Sequence, residues 1–481
     1  MTIKRTFLKE TEIEISDPQL AVIYKNMQGN ILKGHGRDHA TMLFVSFIKN
    51  KLTDVKIMLK DFTENNVTSF YKQLWERERY KRNKVPGNTF GSVFITSKGY
   101  SLLEKGKNKL DKDAFEEGMF KRANILNDDP KKFEGWHNDD IHVMFLLADD
   151  DKTRMDKLVI DLLEKWKDIF KINHIEYGDA IRNENMDGLE HNGYVDGISQ
   201  PLFLKDEVKE YVKSNNIKRD KAKENEGFVF NPIKPIDLVL IHDPYVKGAQ
   251  AQNSYGSYFV FRKLEQNVQA FKNQEKKIGE DLYKDEEDRE RVGARLVGRF
   301  EDGTPIQIQG EDKLISSGTF NNFIYDGPLP TDDDPSGGRC PHFAHIRKTN
   351  PRENGKFDDH TMARRGIPYG HRNISTEIPN IQPQQFPTGG VGLLFMSYQK
   401  CIENQFEVIQ NKYANKFDNK LGDDGVDPVI GQIKGKRNPY LFPDDGDVTK
   451  GVTLSHQFDP HVHFKGGEYF FTPSITYLKS L

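Results

Sequence analysis

The feature that most constrains the fold is an apolar segment of strand length, Ile141 to Ala148, followed at once by an amphipathic helix. In the helical segment, Lys152 to Phe170, apolar residues recur every three or four positions and so share one face. An earlier apolar run, Ala40 to Phe47, predicts a further buried strand. Strands covered by amphipathic helices form layered folds. The first part of the chain is therefore predicted to be α+β.

The second half has the same order of elements without a visible sequence repeat. We predict a strand at Ser257–Phe261, a charged helix at Leu264–Tyr283, a strand at Val391–Tyr398, a helix at Ile402–Tyr413 and a last strand at Tyr469–Thr472. A strand and helix followed by later strands around a second helix is typical of a ferredoxin-like unit. The predicted fold is α+β, with two ferredoxin-like halves of the dimeric α+β-barrel type and large loop insertions.

Composition changes along the chain suggest where the halves meet. We predict an N-terminal half over residues 1–202, a charged insertion or linker over 203–230, and a C-terminal half over 231–481. Residues 414–465 are rich in Gly, Asp, Lys and Pro. Long loops of this kind are often functional, so this segment is predicted to be a loop insertion within the C-terminal half.

Charge and cysteine content exclude several classes of protein. The net charge of −3 gives no electrostatic reason to expect a nucleic-acid or anionic-membrane partner. Two cysteines in 481 residues exclude a disulfide framework and a cysteine-based metal site. The sequence has no apolar run of membrane-spanning length and no apolar stretch of signal-peptide length near Met1. We expect a cytoplasmic protein.

His345 is the first candidate for chemistry. A neutral imidazole is a common protein ligand of haem iron, although a lone histidine is more often hydrogen-bonded to a backbone carbonyl. His342 lies three residues earlier and is the local alternative. His461 and His463 lack a third ligand at a fixed spacing and are predicted to be loop residues.

Two further motifs carry charged candidates. Glycines before and after Asp196 allow unusual backbone angles and close approach of a flat ligand, and the acid can serve as a general base or metal ligand. A plain turn with a self-capping aspartate has the same pattern. Arg364 and Arg365 stay cationic and can stabilise an anionic oxygen, or they are a surface pair before a turn. Leu393 and Phe395 share one face of a strand and are either core residues or the wall of an apolar pocket.

Six segments together resemble the dye-decolourising peroxidases, the DyP-type haem peroxidase family, in its longer-chain subgroup. They occur in the family's order along the chain: Gln28–His35, Gly193–Gly197, His345–Arg352, Arg364–Gly370, Gly392–Gln399 and Gly466–Phe471. The resemblance implies one haem b (iron protoporphyrin IX) per chain, held mainly by the C-terminal half. His345 is then the proximal iron ligand. Glu407 is the expected acceptor for the other ring nitrogen.

The resemblance also implies roles on the peroxide side of the haem. Asp196 is the expected acid–base residue, and Arg364 the arginine that stabilises the peroxide oxygens. Leu393 and Phe395 are expected to border the pocket. The remaining expected haem contacts follow Asp196 directly and are Gly197, Ile198, Ser199 and Gln200.

The implied reaction is reduction of hydrogen peroxide to water through a ferryl intermediate, with oxidation of an organic substrate such as a dye or phenol. Bulky dyes are expected to react at the surface, by electron transfer through a Tyr or Trp. A carboxylate base predicts an acidic optimum. The alternatives are a haem dechelatase that releases iron from intact porphyrin, and a non-enzymatic haem-binding or carrier protein. The expected oligomeric state is a monomer or homodimer.

Overall fold

A computed structural model of the protein describes most of the chain. The described residues are 7–106, 109–110, 113–215, 217–218, 227–285, 287–308, 321–327, 334–352, 355, 357–372, 382–416, 425–433, 435, 437–443 and 453–481. Within them, no helix combines the length and the apolar character that crossing a bilayer requires.

Strands and helices alternate along both halves. The strands are β1 His39–Phe47, β2 Phe90–Ile95, β3 Val143–Asp149, β4 Phe170–Asp179, β5 Ile181–Arg182, β6 Gly188–Leu189, β7 Ile241–His242, β8 Tyr255–Gln266, β9 Ala363–Arg364, β10 Ile367–Tyr369, β11 Gly392–Gln399, β12 Tyr440–Pro443, β13 Thr453–His456 and β14 Val462–Thr472. The α-helices are α1 Ala21–Asn26, α2 Leu52–Asn65, α3 Phe70–Asn83, α4 Ser97–Leu103, α5 Ala114–Glu117, α6 Ala123–Leu126, α7 Lys152–Trp166, α8 Lys205–Ser214, α9 Val268–Leu282, α10 Arg291–Val297, α11 His345–Thr349 and α12 Ile475–Lys479. Two π-helical segments follow β11, at Glu403–Glu407 and Ile409–Ala414.

The main sheet is antiparallel and contains strands from both halves. Its order is β10-β11-β8-β14-β2-β3-β1-β4, with β7 and β9 as short additions. The N-terminal strands lie in the order β2-β3-β1-β4, and the C-terminal strands lie in the order β10-β11-β8-β14. If the four strands of each set are counted along the chain, both sets have the spatial order second, third, first, fourth. That order belongs to a ferredoxin-like unit. The two units meet where Phe471 of β14 pairs with Ile95 of β2.

The two end strands approach each other, but the sheet is not a closed barrel. A Cβ at Gly178 of β4 would lie 2.6 Å from the Cγ2 atom of Ile367 of β10, so only glycine allows this approach. No strand pairing between β4 and β10 occurs in the described residues. The predicted α+β fold with two ferredoxin-like halves is therefore confirmed, and the main sheet is not closed into a barrel.

Helices cover both faces of the sheet. Along β1 and β3, alternate residues enter two different hydrophobic clusters, as expected for side chains that point to opposite faces. Phe62 of α2 and Leu162 of α7 pack in one cluster, and Tyr24 of α1 and Leu74 of α3 in the other. Each large apolar side chain that is fully buried in this way contributes roughly 1.5–3 kcal/mol relative to an exposed one.

Two predicted helices in the C-terminal half have other structures. The predicted helix Leu264–Tyr283 begins as strand, because β8 continues to Gln266 between β11 and β14. Helix α9 starts only after Asn267, whose side chain accepts the backbone N–H of Ala270 at 3.0 Å. The predicted helix Ile402–Tyr413 is π-helical in the segments given above.

The predicted insertions contain regular structure. Residues 203–230 include helix α8, with 216 and 219–226 outside the described residues. Residues 414–465 include β12, β13 and the start of β14, with 417–424, 434, 436 and 444–452 outside the described residues. His463 therefore belongs to a strand and not to a loop, and His461 precedes it, buried and hydrogen-bonded to Gln274 at 2.6 Å.

Candidate functional site

A cavity lined by residues of both predicted halves brings together side chains that lie far apart in the sequence. We call it the main cavity. Its wall includes most of the predicted site residues: Asp196, Gly197, Ile198, Ser199, His345, Arg364, Leu393 and Phe395. Gln200 supports the wall, because its side-chain oxygen accepts the backbone N–H of Arg364 at 3.0 Å. Of the predicted residues, only Glu407 belongs to a different environment.

His345 is the first residue of α11 and is fixed by a buried carboxylate. Its Nδ1 donates to Oδ2 of Asp427 at 2.7 Å, and the Asp427 side chain is fully buried. The other oxygen, Oδ1, accepts the backbone N–H groups of Val429 at 2.8 Å and Ile430 at 3.0 Å. The contact with Asp427 assigns the proton to Nδ1 and leaves Nε2 as the ring nitrogen available for a metal.

Asp427 is held in its ionised form. Burial alone would raise the pKa of this carboxyl group. The charge and hydrogen bond of His345, together with the two backbone N–H groups, outweigh burial and lower the pKa below its ordinary value. The site thus contains a carboxylate–imidazole pair, in which the anion orients the ring and strengthens it as an electron donor.

The prediction that Glu407 accepts from His345 is wrong. Glu407 lies on the first π-helical segment, and both of its oxygens accept from the Arg122 guanidinium, at 2.5 and 2.6 Å. Its Oε1 also accepts from the hydroxyl of Tyr469 at 2.9 Å. This carboxylate is committed to a buried ion pair, and Asp427 takes the place that had been predicted for it.

Asp196 lies in a tight turn. Gly193 and Gly197 have φ of 105° and 81°, in the left-handed region that favours glycine. The turn lets the backbone N–H of Gly197 donate to Asp196 Oδ1 at 2.6 Å. In the described residues, no hydrogen bond to Oδ2 is found. The second carboxylate oxygen is therefore the one placed to accept a proton from a ligand.

The two adjacent arginines differ in their surroundings. Arg364 is half-buried in the wall of the cavity, where Nη1 lies 3.4 Å from Asp196 Oδ1 and Nη2 donates to the carbonyl of Ser199 at 3.2 Å. Arg365 instead donates to the carbonyls of Asn30 at 2.7 Å and Ile31 at 2.8 Å. Burial lowers the pKa of Arg365 to about 10. Arg364 faces the ligand space, and Arg365 fixes the segment that contains Asn30.

Strand β11 supplies the apolar wall. Leu393 and Phe395 are half-buried and line the cavity, whereas Leu394 and Met396 between and beyond them are fully buried in the core. The alternation follows from the two-residue period of a strand. Gly366 has no side chain, and a Cβ at this position would lie 3.4 Å from Leu393 Cδ1 and 3.6 Å from Asp196 Oδ2. A larger residue here would therefore occupy the space between Leu393 and Asp196.

Two further guanidinium groups border the same cavity. Arg299 and Arg352 are buried and close enough to affect one another. Burial, and then the charge of Arg352, lowers the pKa of Arg299 to about 9. Burial also lowers the pKa of Arg352. Neighbouring cations that face a cavity favour a ligand with carboxylate groups, which guanidinium binds through paired hydrogen bonds.

Comparison with known proteins identifies the family. The model for the C-terminal part of DyP-type peroxidases matches residues 231–424. The multifunctional dye peroxidase DyP2 of Amycolatopsis sp. (strain ATCC 39116 / 75iv2) is 36% identical over 479 residues, covering 96% of this chain and 97% of that protein. The chain belongs to the DyP-type peroxidase family. Members of this family are hydrogen-peroxide-dependent oxidoreductases that use haem.

Solved DyP-type structures are similar over nearly the whole chain. The peroxidase of Anabaena sp. is 34% identical, with a TM-score of 0.86 and coverage of 99% of both chains. The Amycolatopsis DyP2 structure gives a TM-score of 0.87, covering 98% of this chain and 100% of that one. A dye-decolorizing peroxidase in complex with 2,6-dimethoxyphenol is 25% identical, with a TM-score of 0.74 and coverage of 95% and 98%.

The residues of the main cavity fit the haem of DyP-type peroxidases. His345 offers one free imidazole nitrogen, which suits an axial iron ligand. Leu393, Phe395 and their neighbours offer apolar walls for a flat macrocycle. Arg299 and Arg352 offer cations for the two propionates. No residue in this donor set conflicts with the cofactor.

Sequence reasoning missed Asp427 and the two buried arginines. Asp427 and His345 are 82 positions apart, and the segment around Asp427 reads as a polar loop. Arg352 was part of the quoted motif that begins at His345, yet nothing in the motif states its function. An Asp before a Pro, Asp427-Pro428, was the only local signal of a structured turn.

Proposed function

We propose that this DyP-type peroxidase binds one haem b per chain at His345 and reduces hydrogen peroxide while oxidising dyes and phenols. The observation that carries the proposal is that Asp196 and Arg364 form a pair at 3.4 Å in the cavity that also contains the Asp427-bound imidazole of His345. A protein that only stores haem needs the imidazole and the pocket. It has no need of a carboxylate–guanidinium pair beside them.

Asp196 moves the proton in this proposal. Its Oδ1 is engaged by the N–H of Gly197, so Oδ2 takes the proton from one peroxide oxygen and returns it to the other. Proton transfer by a positioned side chain typically contributes 10²–10⁴-fold in rate. A carboxylate remains unprotonated, and so able to accept a proton, at lower pH than an imidazole does, which supports the predicted acidic optimum.

Arg364 supplies charge stabilisation. Its guanidinium is anchored by Ser199 and Asp196, so it needs little rearrangement as negative charge develops on the departing oxygen. Haem, when bound at His345, supplies the electrons for O–O cleavage and later takes electrons back from the reducing substrate. The fixed Nδ1–Asp427 hydrogen bond keeps the imidazole of His345 in one tautomer throughout.

The organic substrate belongs to two size classes in this proposal. A relative is known in complex with 2,6-dimethoxyphenol, which supports small phenols as substrates. Bulky dyes, to which the names of the relatives refer, are instead oxidised at the surface by electron transfer through a Tyr or Trp. Haem stoichiometry and the monomer or homodimer state are checked by haemochrome analysis and light scattering.

The testing experiment is an absorption spectrum of the haem-loaded protein before and after one equivalent of hydrogen peroxide. We expect a Soret band that changes with peroxide in the wild type. Asp196→Ala and Arg364→Ala should retain the band but react with peroxide at least 100-fold more slowly, in line with the loss of an acid–base group or a charge-stabilising donor. Asp187→Ala, a change at an exposed turn, is the matched control.

Other outcomes would decide against the proposal. A Soret band that peroxide leaves unchanged in the wild type favours a haem-binding or carrier protein. Recovery of iron-free, intact porphyrin favours a dechelatase. Full peroxide reactivity in Asp196→Ala and Arg364→Ala would refute the assigned roles of these residues.

A further inference from the structure

Three side chains of metal-binding type come together outside the main cavity. His174 and Glu176 of β4 are two positions apart, so their side chains share one face of the strand. Glu134 joins them from the segment before Trp136, where its backbone N–H donates to the carbonyl of Lys465 at 2.7 Å. One donor atom from each of the three residues lies within 4.8 Å of the other two. We call these three residues the β4 cluster, and none of them lines the main cavity.

The geometry and burial of the β4 cluster suit a bound cation. The Glu176 side chain is only 6% exposed, and a buried carboxylate needs a counter-charge. Glu134 and His174 are half-buried, so an ion can reach the cluster from solvent. Two donors that bind one ion at about 2.1 Å each can lie at most about 4.2 Å apart. Small side-chain rotations therefore bring all three donors into ligand range.

Lys263 of β8 shows that the β4 cluster attracts positive charge. Its Nζ lies 2.6 Å from Glu176 and 3.0 Å from Glu134. One ammonium group does not balance two carboxylates, whereas one divalent ion does. The lysine stem is flexible and the ammonium is a point charge without fixed geometry, so Lys263 can withdraw when a more highly charged ion enters.

An unpartnered hydroxyl group beside the cluster is an independent sign of a further ligand. Tyr369 of β10 is 6% exposed, and its hydroxyl has no hydrogen-bond partner among the described residues. The Tyr369 ring lies 4.9 Å from Lys263 Nζ. Burial, and then the charges of Glu265, Glu176 and Glu134, raises the pKa of this hydroxyl. A buried hydroxyl without a partner is costly, and a water molecule bound to an ion in the cluster satisfies it.

Trp136 orients two of the three donors. Its Nε1 donates to Oε2 of Glu134 at 2.7 Å. Its ring stacks on the imidazole of His174, with 4.8 Å between ring centres and 5° between the planes. Hydrogen bonds and packing that orient carboxylate and imidazole groups are the usual support of metal ligands. The surroundings of the cluster are therefore those of a built site.

We propose that the β4 cluster binds one Zn²⁺-type divalent ion, with Glu134, His174 and Glu176 as protein ligands and a water molecule as the fourth. One imidazole and two carboxylates suit zinc, whereas Ca²⁺ and Mg²⁺ prefer oxygen ligands alone. The ion links β4 to the segment before Trp136 and, through its water, to Tyr369 of β10. It thus connects the two end strands of the sheet, which approach without pairing. The site depends neither on haem nor on the peroxidase proposal.

The first test measures binding to the haem-loaded protein by calorimetric titration with Zn²⁺ and, separately, with Ca²⁺. We expect Zn²⁺ to bind at least about tenfold more tightly than Ca²⁺. Glu176→Gln removes a ligand charge and should weaken Zn²⁺ binding at least about tenfold. The matched control is Asp179→Asn, which removes the same charge from β4 at a carboxylate that lies 2.6 Å from the imidazole of His39. It should leave Zn²⁺ binding as in the wild type.

The second test separates a metal site from an ion pair that only holds Lys263. Lys263→Met keeps most of the stem and removes the competing ammonium, so it should bind Zn²⁺ severalfold more tightly and gain melting temperature when Zn²⁺ is added. A variant that loses stability and is not rescued by Zn²⁺ would show that the cluster only pairs with lysine. The control is Lys165→Met, at an exposed lysine 2.7 Å from Asp61, whose Zn²⁺ affinity should be unchanged.

Diffraction at the zinc absorption edge locates the ion in crystals grown with Zn²⁺. A peak within ligand distance of all three residues of the β4 cluster supports the proposal. A peak only elsewhere, or Zn²⁺ binding that Glu176→Gln leaves unchanged, overturns it. His174→Phe keeps a ring against Trp136 but removes the nitrogen donor, and its loss of Zn²⁺ binding decides the question if the other variants do not fold. The response of the haem spectrum to peroxide tests the peroxidase proposal separately.

Discussion

The orientation and electron density of the His345 imidazole depend on Asp427, which lies in another part of the chain. A carboxylate that accepts a hydrogen bond from the second ring nitrogen increases the electron density on the first. Asp427 does so from a fully buried position, with its other oxygen held by two backbone N–H groups. The carboxylate cannot turn away, so the orientation of the ring is fixed before any ligand binds.

Asp427→Asn therefore tests how much the pair contributes. An amide keeps the shape but loses the negative charge, so the imidazole should donate less strongly to iron. We expect haem affinity to fall roughly 10–100-fold, as for other partners of metal-bound histidines, and the iron reduction potential to rise. Haem titration and spectroelectrochemistry measure both. Asp302→Asn, at an aspartate that bonds Thr304, should leave both values at those of the wild type.

The sequence predicted three of the charged or metal-binding side chains that meet in the main cavity, but it did not predict the hydrogen-bond acceptor of His345. Asp196, His345 and Arg364 all line one cavity, as the resemblance implied. The acceptor for His345 was predicted at Glu407, because that acid follows the pocket strand closely in sequence. Asp427 was missed because a hydrogen bond between residues 82 positions apart depends on the tertiary structure, which no local sequence pattern predicts.

The π-helical segment after β11 is tied to the N-terminal half by a buried ion pair. Arg122, next to α6, donates to both oxygens of Glu407. It also donates to Glu117 at 2.8 Å, but that carboxylate is half exposed. Phe406, beside Glu407, lines the main cavity, so the ion pair fixes an element of the cavity wall.

Glu407→Ala should be strongly destabilising, because it leaves the Arg122 guanidinium buried without its main counter-ion. Removal of one partner of a buried pair costs about 3–5 kcal/mol of unfolding free energy. Glu117→Ala removes the exposed partner of the same arginine and should cost less than about 1 kcal/mol. Urea unfolding of both variants gives the comparison. Equal losses in the two would contradict a buried, coupled role for Glu407.

Boundaries of elements were predicted less well than their existence. The strand β8 and helix α9 were both foreseen, yet Leu264 was assigned to the helix. Its apolar side chain fits either pattern, and pairing of β8 with β11 and β14 on both sides decides for the strand. Likewise the segment after Cys401 has helical spacing, and tertiary contacts such as that of Gln405 with the carbonyl of Leu238 at 3.0 Å accompany its π-helical form.

On the scale of the whole molecule, bulky dyes need an electron path from the surface to the main cavity. Trp166 is fully buried and Trp75 is 63% exposed. Trp136 is only 7% exposed but lies between the surface and the cavity wall: its Nε1 donates to Glu134, which is half-buried, at 2.7 Å, and its ring stacks on His174 at 4.8 Å. Phe261, 6.4 Å from Trp136 between ring centres, precedes Arg262 of the cavity wall.

Trp136→Phe should therefore reduce turnover of a bulky anthraquinone dye about tenfold, the equivalent of roughly 1.4 kcal/mol in the barrier. Phenylalanine keeps most of the packing but is much harder to oxidise and has no N–H proton to pass to Glu134. The KM for peroxide and the turnover of small phenols should not change. Trp75→Phe is the control, and a larger loss there than at Trp136 would assign the dye site to Trp75.

Buried histidines limit how acidic the solution can become before the folded protein loses stability, and so they limit the predicted acidic optimum. Burial lowers the pKa of His137 to about 3, and that of His191 and His461 to about 4. These rings are neutral in the folded protein but take up protons near pH 6.5 when the chain unfolds. Their contribution to stability is complete above that pH and is lost as the pH falls towards 4. At pH 5, each of these histidines lowers the free energy of unfolding by about 2 kcal/mol. Each pH unit below the ordinary histidine pKa of about 6.5 contributes about 1.36 kcal/mol.

His137→Gln should therefore flatten the dependence of stability on pH. In the wild type, Nδ1 of His137 accepts the N–H of Gly467 at 3.0 Å, and glutamine keeps an acceptor there without a titrating ring. We expect a lower melting temperature at pH 7, from lost packing, but a smaller decrease between pH 6.5 and 4.5. His371→Gln, at an exposed histidine, should keep the wild-type slope. If all three proteins lose stability in parallel, acid unfolding has an origin other than the burial of His137.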